Sequence, residues 1–192
     1  MRIAILFAFS ALSACSATIP PVEVTRFNTG QPMVAGGVSI LPKVGSDSQS
    51  LEFRTYASAV ARQMAGLGFT ETSGANAPYI AEIEHSRGTR TDAAKRSPFT
   101  IGIGGGSFGR GGGIGVGTSI GLGGEGTRET IITRLSVRIK SRTDGKAMWE
   151  GRAQTSASAR APAAQPGLAA EKLAAALFKG FPGKTGETVI VP

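Results

Sequence analysis

The sequence predicts an α+β fold: a mostly antiparallel β-sheet packed by two amphipathic helices, with a glycine-rich loop or arm inserted between central strands. Three observations carry that expectation. Segments of alternating apolar residues recur along the chain, two stretches repeat apolar residues at three- and four-residue intervals, and fourteen glycines crowd the stretch from Gly102 to Gly126. With 192 residues, 41% of them hydrophobic and 18% charged, the chain suits one domain, residues 22–192, and leaves little room for a second.

Val22 to Phe27 alternates as a strand should, and Val38 to Leu41 is a second short apolar strand after a turn-rich stretch; the two are expected to be able to pair. Ser46 and Gln49 have the spacing of a capping box ahead of Phe53, Tyr56, Ala57, Val60, Met64 and Leu67, a core-facing helical stripe that ends at Gly66 or Gly68. Tyr79, Ala81 and Ile83 form the apolar side of a strand whose other side carries Glu82 and Glu84. Ile131, Leu135, Val137 and Ile139 do the same on a long strand with Arg134, Arg138 and Lys140 opposite.

A hairpin follows that strand. A two-residue Asp144-Gly145 turn would pair Ile139 with Glu150, whereas a three-residue Thr143-Asp144-Gly145 loop with Gly145 left-handed pairs Ile139 with Trp149. The bulged loop is chemically better, and it buries Trp149 between the partner strand, 147–155, and a helix. Ser156 to Gly167, rich in Ala, Ser and Pro, reads as a loop. Leu168 to Lys179 reads as a second amphipathic helix that Pro182 stops, and Thr188 to Val191 as a closing strand.

The glycine segment, 102–126, costs backbone entropy to order. Gly104 to Gly109 matches G-x-G-x-x-G, but the match is nearly forced in such a tract and no βαβ unit surrounds it. Gly105, Gly109, Gly113, Gly117 and Gly121 recur every fourth residue, yet the residues between them are too polar for a membrane span. Phe99, Ile101, Ile103, Ile114, Val116, Ile120 and Leu122 alternate with glycine or small residues, which favours a mobile β arm extending from the sheet, disordered or pairing with a partner.

The first fourteen residues read as a signal peptide. Met1-Arg2 is a basic start, and the apolar run from Ile3 to Leu12 is too short for a spanning helix, which needs about 20 residues. Leu12-Ser13-Ala14-Cys15 resembles the lipobox of bacterial lipoproteins, so Cys15 is the expected lipidation site and 15–21 a lipidated tether. The resemblance implies a diacylglyceryl thioether and an acylated new N-terminus, hence a firm membrane anchor. Ser16 stands where inner-membrane lipoproteins often carry aspartate, which points to the periplasmic face of the outer membrane.

Cys15 is the only cysteine, which excludes an intramolecular disulfide and a CxxC redox pair. His85, the only histidine, lacks HExxH company and is expected to be structural. Gly183-Lys184-Thr185 lacks the upstream glycine of a phosphate loop, where Phe178 stands, and the lone histidine cannot be placed in a serine triad. No catalytic residues, cofactor or metal are therefore expected. Glu82 and Glu84 on one strand face are the carboxylates that a periplasmic small-ligand-binding protein or hydrolase would use.

The net charge of +8 favours anionic partners. The basic residues gather around the hairpin, where Arg134, Arg138 and Lys140 form a candidate anion or partner surface. In the envelope, the expected partners are the membrane through acylated Cys15, an envelope protein or a glycan, with no nucleic acid.

Taken in order, Leu12 to Cys15, Val22 to Phe27, Tyr56 with Leu67-Gly68-Phe69, Tyr79 to Glu84, the glycine tract, Trp149-Glu150-Gly151-Arg152-Ala153 and Phe181-Pro182-Gly183 resemble a widespread family of small bacterial lipoproteins carrying a domain of unknown function. The resemblance implies a lipid-anchored periplasmic α/β domain and brings no catalytic residues to carry over.

Overall fold

A computed structural model describes residues 20–92 and 128–192. Seven strands, β1 (Val22–Asn28), β2 (Gly37–Pro42), β3 (Thr70–Glu71), β4 (Tyr79–Asp92), β5 (Arg128–Ser141), β6 (Ala147–Ser158) and β7 (Glu187–Val191), form one sheet in the order β3-β2-β4-β5-β6-β1-β7. Only β2 runs parallel to its neighbours, β3 and β4; every other pairing is antiparallel. Helices α1 (Leu51–Gly66) and α2 (Pro166–Phe178) pack against each other and against one face of the sheet. The α+β architecture is the one the sequence predicts.

The alternation read from the sequence sorts the two faces. Val22, Val24, Ala81, Ile83, Leu135, Val137, Ile139, Trp149 and Ala153 are buried under the helices. Phe53, Tyr56, Val60 and Met64 of α1 and Leu173, Leu177 and Phe178 of α2 complete the core. Alanines at 169, 170, 174 and 176 let α2 approach closely. Gly68, at φ +88°, ends α1 in a left-handed residue, and Phe69 N–H bonds back to the Met64 carbonyl at 3.0 Å.

The β5–β6 hairpin reaches the expected Ile139–Trp149 pairing by a different loop: Ser141 N–H bonds to the Lys146 carbonyl at 3.0 Å, so residues 142–145 turn the chain instead of the three residues 143–145, and a bulge at Met148 restores the register. Gly145 sits at φ +69°, Ile139 pairs with Trp149, and the register slips between Ile139 and Lys140. Trp149 is buried, stacks on Phe178 with centroids 5.3 Å apart, and donates from Nε1 to the Pro182 carbonyl at 2.9 Å.

Four other expectations are corrected. β1 and β2 do not pair: β1 lies between β6 and β7, with β4, β5 and β6 separating it from β2. The cap of α1 is Ser50, whose side chain accepts from Phe53 N–H, while Ser46 and Gln49 belong to the preceding turns. β6 continues to Ser158, because Ala157 is buried and its neighbours face outward, and only the 3₁₀ turn Pro162–Ala164 breaks the path to α2. That helix starts at Pro166, a residue pre-set for the first helical turn. β4 runs on to Asp92, paired throughout with β5, so its polar second half is held by ladder hydrogen bonds rather than by core burial. The glycine segment, 102–126, lies outside the described residues; its flanking strands β4 and β5 are neighbours at the centre of the sheet.

Candidate functional site

The face of the sheet away from the helices carries the charges. Register places Glu82 beside Arg138 and Arg138 beside Glu150; in the next row Glu84, Ser136 and Arg152 align. Arg138 Nε donates to Glu150 Oε1 at 2.6 Å, and Arg152 lies 3.8 Å from the other oxygen of that carboxylate. Lys140 is ion-paired diagonally with Glu82, and Lys43 with Glu84 at 2.9 Å. Arg134 Nε donates to the neutral Gln154 Oε1 at 2.6 Å. The result is a lattice of alternating sign around a shallow depression of about 110 Å³.

The three predicted basic residues thus share one face, as their spacing requires, but each already holds an acceptor. Glu82 and Glu84 also share that face, each engaged by a lysine. Side chains of the Lys140–Glu82 pair are 25% and 16% exposed, so this is the least screened pair of the lattice; Lys43 and Glu84, about half exposed, contribute little to stability. Counting Lys43, Arg134, Arg138, Lys140 and Arg152 against Glu82, Glu84 and Glu150, the face keeps a cationic surplus suited to an anionic partner surface. Its described lining offers Ser136, the cations Lys43, Arg138 and Arg152 and the carboxylates Glu82, Glu84 and Glu150, groups suited to hydrogen bonding and charge recognition.

The sequence reading missed Lys43, Glu150, Arg152 and Gln154 as members of this face. Glu150, Arg152 and Gln154 alternate with Trp149, Gly151 and Ala153, and that period of two was the available signal. Arg142, in the hairpin loop, donates to the Ala77 carbonyl at 2.6 Å and to Ser39 Oγ at 2.8 Å, pinning the loop before β4. Lys146 lies 3.5 Å from Asp144, whose carboxyl is held below its usual range by a hydrogen bond from the Ser141 side chain and by the Lys146 backbone N–H.

His85 lies on the helix face, stacked on Tyr56 with centroids 4.6 Å apart and 3.8 Å from Glu52. Burial, with help from Glu52, pushes the Tyr56 hydroxyl up to about 12. The stacking gives His85 the structural role expected of it. Among the described residues, no three His, Cys, Asp or Glu side chains converge to hold a metal.

Cys15 lies outside the described residues; the first described ones, Pro20 and Pro21, are bonded to the domain. Thr155 Oγ1 donates to the Pro21 carbonyl at 3.0 Å, and Lys172 Nζ is bonded to the Pro20 carbonyl. Desolvation at this position pulls the Lys172 ammonium below its usual pKa. No helix among the described residues is long and apolar enough to cross a membrane.

An uncharacterized protein of Zymomonas mobilis subsp. mobilis is 31% identical over 95% of this chain and 84% of its own length. Two solved structures resemble the fold distantly. A PelC dodecamer from Paraburkholderia phytofirmans matches with TM-score 0.46 and 12% identity, over 84% of this chain and 99% of that one. A minor lipoprotein from Acinetobacter baumannii matches with TM-score 0.36 and 9% identity, over 78% and 95%. A family model described as "Domain of unknown function (DUF4136)" matches residues 30–183. The chain, from the loop after β1 to the turn after α2, belongs to the DUF4136 family of domains of unknown function.

Proposed function

We propose that this protein is a lipid-anchored lipoprotein of the bacterial cell envelope, held by acylated Cys15 at the periplasmic face of the outer membrane, with a domain that serves as a non-enzymatic binding or structural module. The observation that carries the reading is the basic start, ten-residue apolar run and Leu-Ser-Ala-Cys sequence ending at Cys15. The membrane is then the first partner, and an envelope protein or glycan bearing anionic groups is the second.

The open face supports binding over turnover. A base or nucleophile works best when free to take a proton or attack, yet Glu82 and Glu84 are each ion-paired through one oxygen, with Lys140 and Lys43. Arg134, Arg138 and Lys140 supply the cationic surplus that would meet anionic groups of a partner. A small-ligand protein or hydrolase built on Glu82 and Glu84 is the competing reading, and retained function of a Glu82→Ala/Glu84→Ala variant in vivo excludes it.

Membrane fractionation of cells producing the protein or its Cys15→Ala form tests the anchor. The parent should sediment with outer-membrane markers on a density gradient, and the variant should leave that fraction. An unchanged distribution overturns the reading.

A further inference from the structure

The tether is short and its exit point is fixed. Only five residue steps separate Cys15 from Pro20, a reach of at most about 18 Å. Pro20 and Pro21 are fastened to α2 and β6 by Lys172 and Thr155. An anchored Cys15 therefore holds one particular end of the molecule at the bilayer.

Strand directions define that end. β1 begins there, and its antiparallel partners β6 and β7 finish there, Glu23 facing Gln154 and Val22 facing Val191. β5 begins and β4 finishes there too, since Thr130 faces Ser158 and Arg90 faces Thr130. The β5–β6 hairpin loop and the 28–36 loop lie at the other end, and β5 alone spans about 45 Å.

The surface at the tether end suits a lipid headgroup layer. Among the described side chains it presents Arg87, Arg90 and Arg160, with Arg62 paired to Glu171, against the carboxylates of Glu23, Glu129 and Glu171; Arg87 also donates to the Ala164 carbonyl. Leu168, at the start of α2, and Ile190, on β7, are 51% and 63% exposed beside the tether. Arginines bordered by exposed aliphatic side chains are the composition that lies at a membrane interface.

We propose that this end, comprising Arg87, Arg90, Arg160, Leu168 and Ile190, is a bilayer-contact surface that binds anionic phospholipid headgroups of the leaflet holding the Cys15 acyl chains. The proposal rests on the lipid-anchor reading. Because the anchor makes the contact intramolecular in effect, individually weak headgroup contacts are sufficient to orient the domain. The opposite end then points away from the membrane.

The test uses the protein as cells process it, extracted from membranes and reconstituted in phosphatidylethanolamine–phosphatidylglycerol vesicles containing headgroup-spin-labelled phospholipid. With Cys15 blocked by its acyl group, an introduced cysteine accepts a fluorophore. Arg160→Cys and Ile190→Cys report the near end; Val34→Cys and Lys146→Cys report the far end. Near-end labels should be quenched several-fold more than far-end labels, and replacing phosphatidylglycerol by phosphatidylcholine should reduce the near-end value. Equal quenching at both ends, in protein that floats with the vesicles, overturns the contact surface while leaving the anchor intact. Near-end quenching indifferent to phosphatidylglycerol overturns headgroup recognition. Protein that fails to float overturns the anchor reading, and the contact surface with it.

Discussion

Arg26 of β1 donates from Nε to the main-chain carbonyl of Leu177, 2.9 Å away and near the end of α2. Its Nη2 reaches the carbonyls of Ala176 and Lys179, each at 2.9 Å. One side chain thus satisfies three carbonyls that the helix terminus leaves open, and its cation meets the negative end of the helix dipole. Burial pushes the guanidinium pKa down, opposed by the Glu187 carboxylate. Replacing Arg26 by methionine should cost about 2–3 kcal/mol in urea unfolding. Lysine should recover only part of that, because a single ammonium cannot reproduce the fork.

The same end of α2 presses on a glycine. A Cβ at Gly151 would lie 2.4 Å from Trp149 Cη2 and 2.7 Å from Leu177 Cδ1, inside contact distance of both. Gly151→Ala should destabilise the fold by roughly 1–3 kcal/mol through overpacking. Adding Trp149→Phe should return part of the loss by emptying the space, a coupling that a double-mutant cycle would measure. Independent, additive effects would show that the ring does not occupy that space.

Tyr56 makes stability depend on alkaline pH. The unfolded chain ionises its tyrosines near pH 10, whereas folded Tyr56 does so near 12. Its raised pKa gives a contribution that is whole below pH 10 and is lost as pH rises toward 12, about 2–3 kcal/mol in all. Tyr56→Phe should remove that loss, seen as a smaller fall in unfolding free energy between pH 9 and 12 than the parent shows. The hydroxyl is buried and has no hydrogen-bond partner among the described residues. The phenylalanine variant should therefore be about 1 kcal/mol more stable at neutral pH.

The cap of α1 shows where local patterns mislead. Ser46-x-x-Gln49 has capping-box spacing, but the first buried helical residue, Phe53, bonds its N–H to Ser50 at 3.4 Å. Ser50→Ala should cost about 0.5–1 kcal/mol and Ser46→Ala almost nothing, read from thermal or urea unfolding.

What the sequence made legible was local. Alternation told the core side of β4 and β5 from the charged side, and a left-handed Gly145 was readable at the hairpin, although Ile139 meets Trp149 through a four-residue loop and a bulge instead of the three-residue loop. What stayed hidden was non-local. The separation of β1 from β2 depends on β4, β5 and β6 pairing between them, and nothing in either short strand encodes that choice. The end of β6 looked like loop because the Ser and Ala residues there are held by ladder bonds. For the candidate site, the side on which Arg134, Arg138 and Lys140 project was readable, but their acceptors Gln154, Glu150 and Glu82 appear only when strand register is known. Arg26 shares parity with buried Val22 and Val24, and a cation on the core side of a strand was the one signal of its capping role.

The central claim is that Cys15 is the lipid-bearing first residue of the mature protein. The intact mass of protein extracted from membranes tests it most directly. The account predicts a chain beginning at Cys15 with the added mass of a diacylglyceryl group and an amide-linked acyl chain, and a Cys15→Ala version lacking all of them. An unacylated cysteine, or a chain that still carries residues 1–14, would contradict it.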